Sequence, residues 1–299
     1  MASGIPTNRT NIELPNEVSS EILQKTQESS VVMQLARQIA LPGRGVQIPV
    51  ISGDPTPTWV TETGSKPVSN PSLSKKIMQA HKLAVIMPFS DEFRRDAAAL
   101  YDALVARLPG ALGKVFDATV FFGPASGSLA NFDNFTSCTA QSLSSSVYGG
   151  LVAADGDIAE QGGVLSGIVL SPQGKAVLLG ALDGENRPLF NTVAEGGISR
   201  VLGAPAYVAA AAYKAGSAAV GSTPAVPDVI GFAGDWSHAM YGTVEGVRID
   251  YSADATLTLA DSSTVNLFQQ NMFAVRAEIE VGFVAETAYF NKLTRTHAS

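Results

Sequence analysis

Residues 52–82 read SGDPTPTWVTETGSKPVSNPSLSKKIMQAHK, and this stretch decides how the rest of the chain must be read. Pro55, Pro57, Pro67 and Pro71 sit among Ser, Thr, Asn and Lys, which leaves almost nothing apolar to pack. Connections of this length are uncommon inside compact domains unless they serve a function or carry no fixed structure. Apolar strand-like runs flank it: Val46-Gln47-Ile48-Pro49-Val50-Ile51 leads in, and Ile77 to Met87 leads out. The pattern predicts an extended hairpin with no core of its own. Such an arm must find its partners on another molecule, which points to an assembly protein.

A long amphipathic helix is expected directly after the arm. Ser90 is a good N-cap, and Asp91 and Glu92 place negative charge where the helix dipole favours it. Phe93, Ala97, Leu100, Leu104, Leu108, Ala111, Val115 and Phe122 recur at helical spacing, with Leu112 and Phe116 beside them. Arg94, Arg95, Asp96, Asp102, Arg107, Lys114 and Asp117 are assigned mostly to the solvated side. Pro109-Gly110 should kink the helix, and Gly123-Pro124 should end it. The cleanest strand lies near the other end of the chain. Phe273, Val275, Ala277, Ile279, Val281 and Phe283 share one face, while Arg276, Glu278 and Glu280 share the other. An antiparallel strand with one buried and one charged face follows.

Composition narrows the class. The chain has 299 residues, enough for one large core or two modest ones, and only 16% of them are charged. That charge is low for a subunit keeping its whole surface wet, so neighbours are expected to bury part of it. The most apolar run, Ala206 to Val220, is interrupted by Lys214 and glycines, and no membrane span is expected. MASGIPTNRTNIELPNE has no basic region followed by an apolar core, so no signal peptide is expected. Cys138 is the one cysteine and is read as a small buried hydrophobe; its solitude fits synthesis in a reducing cytoplasm. Of the net charge of −7, six negative charges fall within residues 125–245. No basic face of the kind that neutralises phosphates is evident.

Catalytic readings find little support. His81, His238 and His297 are the only histidines, and none stands at metal-ligand spacing from another His or from Cys138, so no metal and no cofactor is expected. The segment GDWSHAM holds Asp235, Ser237 and His238 close in sequence, but triads form by spatial convergence, and Trp236 and His238 are read as packing and loop-bonding residues. No phosphate-binding loop pattern occurs. The chain is read as a non-enzyme. A tail-attached or secreted β-rich binding module would also tolerate an acidic, polar-armed chain, but would not need so long a helix.

Several segments carry a family resemblance. WVTETGSKP in the arm, MPFSDEF at the helix entry, SGIVLSPQGKAVLLGALDGENRPLF, ISRVLGAPAYV, VIGFAGDWSHAMYGTVEGVRIDYS and the closing AVRAEIEVGF resemble, in collinear order from about Val46 to Leu293, the major capsid proteins of tailed bacteriophages with the Hong Kong 97 fold. The resemblance implies an α+β fold divided as an N-terminal arm (1–45), an extended hairpin arm with its root strands (46–88), a spine helix and peripheral segment (89–133), an axial domain (134–242) and C-terminal peripheral strands (243–299). It implies hexamers and pentamers closing an icosahedral shell around double-stranded DNA, with a portal, inside a bacterial host cell. An encapsulin-type nanocompartment shares the fold and is the nearest alternative. Because the arm begins close to Met1, scaffolding is expected from a separate protein.

The resemblance also implies sites. Trp59, Glu62, Lys66 and Pro67 would contact a neighbouring subunit. In the best-known relative an arm lysine forms an isopeptide bond with an asparagine of a second subunit, promoted by a glutamate of a third. Lys66, Asn271 and Glu278 match those positions. An attacking amine must be neutral, which burial favours, and a desolvated carboxylate could accept its proton. The competing reading leaves Lys66 solvated and Glu278 paired with Arg276 on a charged strand face.

Overall fold

The computed structural model describes residues 26–43, 45–51, 59–62, 66, 68, 73–92, 107–190, 198–220, 224–259 and 263–297. They form a five-stranded and a six-stranded β-sheet joined by paired strand crossovers, with helices against each, and two separate two-stranded ribbons, one of residues 46–51 with 73–78 and one of β12 (Thr256–Thr258) with β13 (Thr264–Asn266). The first sheet is organised by its longest strand, β14 (Met272–Ala285). One edge of β14 pairs antiparallel with β4 (His81–Ser90) along ten residues. Its other edge takes β11 (Arg248–Ser252) along the first half and β10 (Ala239–Thr243) along the second. Strand β1 (Arg37–Ala40) adds to β10 in parallel. The expected alternation holds through Val275–Val281, and beyond it both faces are buried, because the strand there runs into the shared core.

Helix α1 (Val31–Leu35) is short, and helix α2 (Leu108–Phe122) lies over the first sheet. Leu108 and Leu112 pack with Phe273, Val275, Ala277 and Ile279 of β14. The α2 stripe is rotated from the expected one. Leu108, Leu112, Phe116 and Val120 are buried at every fourth position, together with Gly113, Asp117 and Phe121, whereas Ala111 and Val115 face outward. The reason is a second neighbour: Gly113 and Asp117 face the start of α1, so Asp117 is buried and not solvated. Pro109 sits in the first turn of the described helix, where its missing N–H costs nothing. Residues 93–106, where the earlier half of the expected helix falls, lie outside the described residues. Gly123 ends α2 at φ +79°, as its sequence position implied.

The second sheet runs β5 (Thr139–Ser142), β15 (Phe290–Arg295), β9 (Asp228–Gly234), β6 (Gly167–Leu170), β8 (Ala204–Val208), β7 (Arg200–Val201). Helices α3 (Val147–Glu160) and α4 (Pro172–Leu179) cover one face through Leu151, Ala154 and Leu178 against Ile168, Ile230 and Leu293. The other face meets the first sheet in an aromatic core. Phe121 stacks on Phe232 at 4.7 Å, and Phe135 stacks on Phe290 at 4.4 Å. Phe283, at the end of β14, meets Phe135 edge-on. Residues 243–299 therefore return as strands to both sheets: β11 and β14 join the first and β15 the second. Residues 31–41, read from sequence as part of an N-terminal arm, are embedded here, with Val32 completely buried.

Candidate functional site

The arm roots as the sequence suggested, with one change of boundary. Strand β2 (Val46–Ile51) pairs antiparallel with β3 (Leu73–Met78), from Val46 opposite Met78 to Ile51 opposite Leu73. The returning strand is thus broken at Gln79–Ala80, and β4 starts separately at His81. The break lets β3 leave the sheet while β4 stays in it.

Along β3 alternate side chains divide the work. Lys75 and Ile77 are exposed, whereas Lys76 and Met78 turn inward. Met78 is fully buried in a cluster with Leu41 and Val284. Its seat is made by two glycines that lie opposite each other on β10 and β14, Gly242 and Gly282. A Cβ on Gly282 would stand 2.9 Å from the Met78 Cγ and 2.7 Å from the Gln79 carbonyl oxygen, and one on Gly242 would stand 3.0 Å from the Met78 sulfur. Lys76 makes the polar attachment: its Nζ donates to the Ala285 carbonyl at 2.6 Å and to Asp133 Oδ2 at 3.2 Å, with Glu286 Oε1 at 3.8 Å.

At the described tip Trp59 is fully exposed, Val68 nearly so, and Val60, Glu62 and Lys66 are exposed as well. Trp59 therefore packs against nothing among the described residues. Pro67 lies outside the described residues. Asn271 is exposed in the turn before β14 at φ +51°, and its carbonyl accepts from the Asp91 N–H at 3.0 Å. Glu278 stands seven residues further along the strand, about 23 Å away at the usual strand rise. These two residues of one subunit do not meet. Glu278 belongs to a ladder of charges on the outer face of the sheet: Lys82 pairs with Glu280 at 2.9 Å, Arg276 with Asp250 at 2.5 Å, and Arg276 Nε lies 3.7 Å from Glu278. Burial pushes the Asp250 carboxyl up, but hydrogen bonds from Arg276 and Arg248 outweigh it and leave the group below its ordinary range.

The residues weighed for catalysis form no Ser–His relay: His238 Nε2 stands 4.0 Å from Asp235 Oδ2, and Ser237 bonds the carboxylate and not the imidazole. Ser237 Oγ donates to Asp235 Oδ1 at 2.7 Å, and His238 lies flat on Tyr289 with ring centroids 3.8 Å apart. Trp236 is buried and donates to the Gly167 carbonyl at 3.1 Å. Cys138 is buried and burial pushes its thiol up to about 12, so it is not a nucleophile near neutral pH. Among the described residues no group of His, Cys, Asp or Glu could hold a metal, and no helix is long and apolar enough to cross a membrane.

Sequence reasoning missed the burial of Asp117, which it had assigned to the solvated side. Asp117 Oδ1 accepts from Ser30 Oγ at 2.5 Å and from the Val32 N–H at 3.3 Å, while Oδ2 accepts from the Val31 N–H at 3.0 Å. It caps the start of α1 and ties the segment leading out of residues 26–29 to α2. Burial raises its pKa from 3.8 to about 6, against the lowering effect of those three hydrogen bonds. The available signal was Gly113, one turn earlier on the same face. A Cβ there would stand 2.6 Å from Ser29 Oγ, and a glycine inside a helix marks such a close approach.

A family model described as the phage capsid family matches residues 11–293, nearly the whole chain. The chain belongs to the phage capsid family. Two relatives agree in extent. The chain is 26% identical to the "Probable major capsid protein gp17" of Mycobacterium phage D29, over 90% of this chain and 86% of that protein. It is 27% identical to the protein of the same description from Mycobacterium phage L5, over 96% and 90%. Among solved structures, a chain from Gordonia phage Cozz superposes with a TM-score of 0.72 at 20% identity, covering 90% of this chain and 87% of its own. One from Microbacterium phage Oxtober96 gives 0.69 at 20% identity, covering 99% and 96%. At that identity these likenesses establish the fold, which this phage capsid family member shares with both chains.

Proposed function

We propose that this chain is the major capsid protein of a tailed bacteriophage, and that its arm laces neighbouring subunits into an icosahedral shell. The carrying observation is an arm rooted by Lys76 and Met78 whose tip presents Trp59 and Val68 to solvent. Apolar side chains held in solvent gain nothing in the free subunit. Large aromatics of this kind are enriched where interfaces bury them. The family match and the capsid descriptions of the mycobacteriophage relatives support a virion shell over a nanocompartment.

In this reading the fold is of the Hong Kong 97 type: residues 1–45 and 46–88 are the arms, 89–133 the spine segment, 134–242 the axial domain and 243–299 the peripheral strands. Trp59, Glu62, Lys66 and Pro67 contact the adjacent subunit, and hexamers and pentamers make the shell. The shell encloses double-stranded DNA without reading its sequence; the acid excess within residues 125–245 keeps the wall from binding phosphates tightly. A portal and a separate scaffolding protein complete assembly in the host cytoplasm. Electron micrographs of the purified protein under assembly conditions test the reading. Closed, uniform shells are expected; particles no larger than a monomer or dimer at every concentration and salt would refute it.

A further inference from the structure

Two strands pass between the sheets side by side. β9 reaches β10 through Asp235–His238, and β14 reaches β15 through Glu286–Tyr289. These crossovers are bonded to each other. The Asp235 N–H donates to the Tyr289 carbonyl at 3.0 Å, the Glu286 N–H donates to the His238 carbonyl at 3.1 Å, and the His238 and Tyr289 rings stack with an interplanar angle of 1°. The orientation of one sheet against the other is set where these two crossovers meet.

Lys76 grips that point from the arm. Its ammonium holds the Ala285 carbonyl, the last residue of β14, together with Asp133 and Glu286. Asp133 in turn accepts from the Ala285 N–H at 3.1 Å, and its own N–H donates to the Phe283 carbonyl at 3.1 Å. Both backbone polar groups of Ala285 are thereby tied into one cluster whose cation comes from the arm. Met78, two residues on, fixes the root separately, seated against Leu41, Val284 and the Gly242–Gly282 pair of the first sheet. We propose that Lys76 is a positioning residue that relays the placement of the arm to the junction between the two sheets, so that docking of the arm on a second copy of this chain changes the junction of the subunit that donates it. The relay rests on the reading that the arm docks on another subunit. A displaced arm carries the ammonium with it, and the carbonyl of Ala285 and the carboxylates of Asp133 and Glu286 either follow or lose a charge-assisted bond.

Hydrogen exchange on free subunits and on assembled particles tests this. In the wild type, assembly should slow exchange in residues 235–238 and 285–289 by about tenfold, within the usual range of coupling between sites. In Lys76→Met particles the tip, residues 59–68, should still be protected on assembly, while the junction changes by no more than about twofold. Lys76→Arg, which keeps the charge and the donors, should restore the wild-type response. The double variant Lys76→Met/Asp133→Asn removes the ammonium without leaving the Asp133 carboxylate unpaired by it; it should behave as Lys76→Met does and carries the test if Lys76→Met alone fails to fold. Equal slowing at the junction in the wild type and in either uncoupled variant overturns the relay. A wild-type tip left unprotected on assembly overturns the docking reading itself, a separate and recognisable result.

Discussion

Asp117→Asn should make the isolated subunit more stable at neutral pH and remove one component of its pH dependence. The carboxylate is buried at the N-terminus of α1, and burial raises its pKa from 3.8 to about 6. The folded state therefore holds this proton more tightly than the unfolded chain does. Its contribution to stability is complete below pH 3.8 and is lost as pH rises through about 6. The loss amounts to about 3 kcal/mol, at about 1.4 kcal/mol for each tenfold change in proton affinity. Asparagine keeps the cap, since its carbonyl can accept from the Val31 or Val32 N–H and its amide can donate to Ser30 Oγ. Urea unfolding of unassembled wild-type and variant subunits between pH 4 and 7 gives the difference directly. The variant should gain on the wild type by about 2.4 kcal/mol across that window, the rest of the loss falling below pH 4. The lowered carboxyls of Asp228, Asp235 and Asp250 act at lower pH and are common to both proteins. A flat difference, or one in which the wild type gains with rising pH, would refute the argument.

Three further outcomes follow from the arm and its root. Met78→Ala should cost about 3 kcal/mol, as buried Met truncations do, and should speed exchange in 46–51 and 73–78 more than in β14; uniform loosening would deny Met78 a specific role in seating the arm. Trp59→Ala should leave subunit unfolding within about 0.5 kcal/mol of wild type while lowering the melting temperature of assembled shells; unchanged shells would remove Trp59 from the interface. Boiled, reduced particles should run as a single monomer band, because Glu278 stands beside Arg276 at 3.7 Å on a charged strand face. A ladder of multimers abolished by Lys66→Arg would show instead that Lys66, Asn271 and Glu278 of three subunits are joined.

The sequence carried the parts of this fold that have a strong period or strong punctuation. β14 could be read from Phe273 to Phe283 because apolar and charged residues alternate at the period of a strand covered on one face. The end of α2 was legible in Gly123-Pro124. The α2 stripe came out one position off because periodicity weighs residues by type, and Asp117 was counted as a surface charge. Its burial depends on the N–H groups of α1, which come from more than eighty residues earlier in the chain. The break at Gln79–Ala80 was hidden for a similar reason: nothing in the run from Ile77 to Met87 marks where β3 must leave the sheet. The Lys76 cluster joins three distant segments. From sequence alone, Lys76 is only one of two adjacent lysines, and alternation with Met78 was the sole hint of its direction.

Deleting residues 56–72, which leaves β2 and β3 intact, tests most directly whether the arm serves assembly and not the fold. Micrographs of the deletion protein under assembly conditions should show capsomers but no closed shells, while its unfolding free energy in urea stays within about 0.5 kcal/mol of the full chain. An unfolded deletion protein, or closed shells as stable as those of the full chain, would contradict the account.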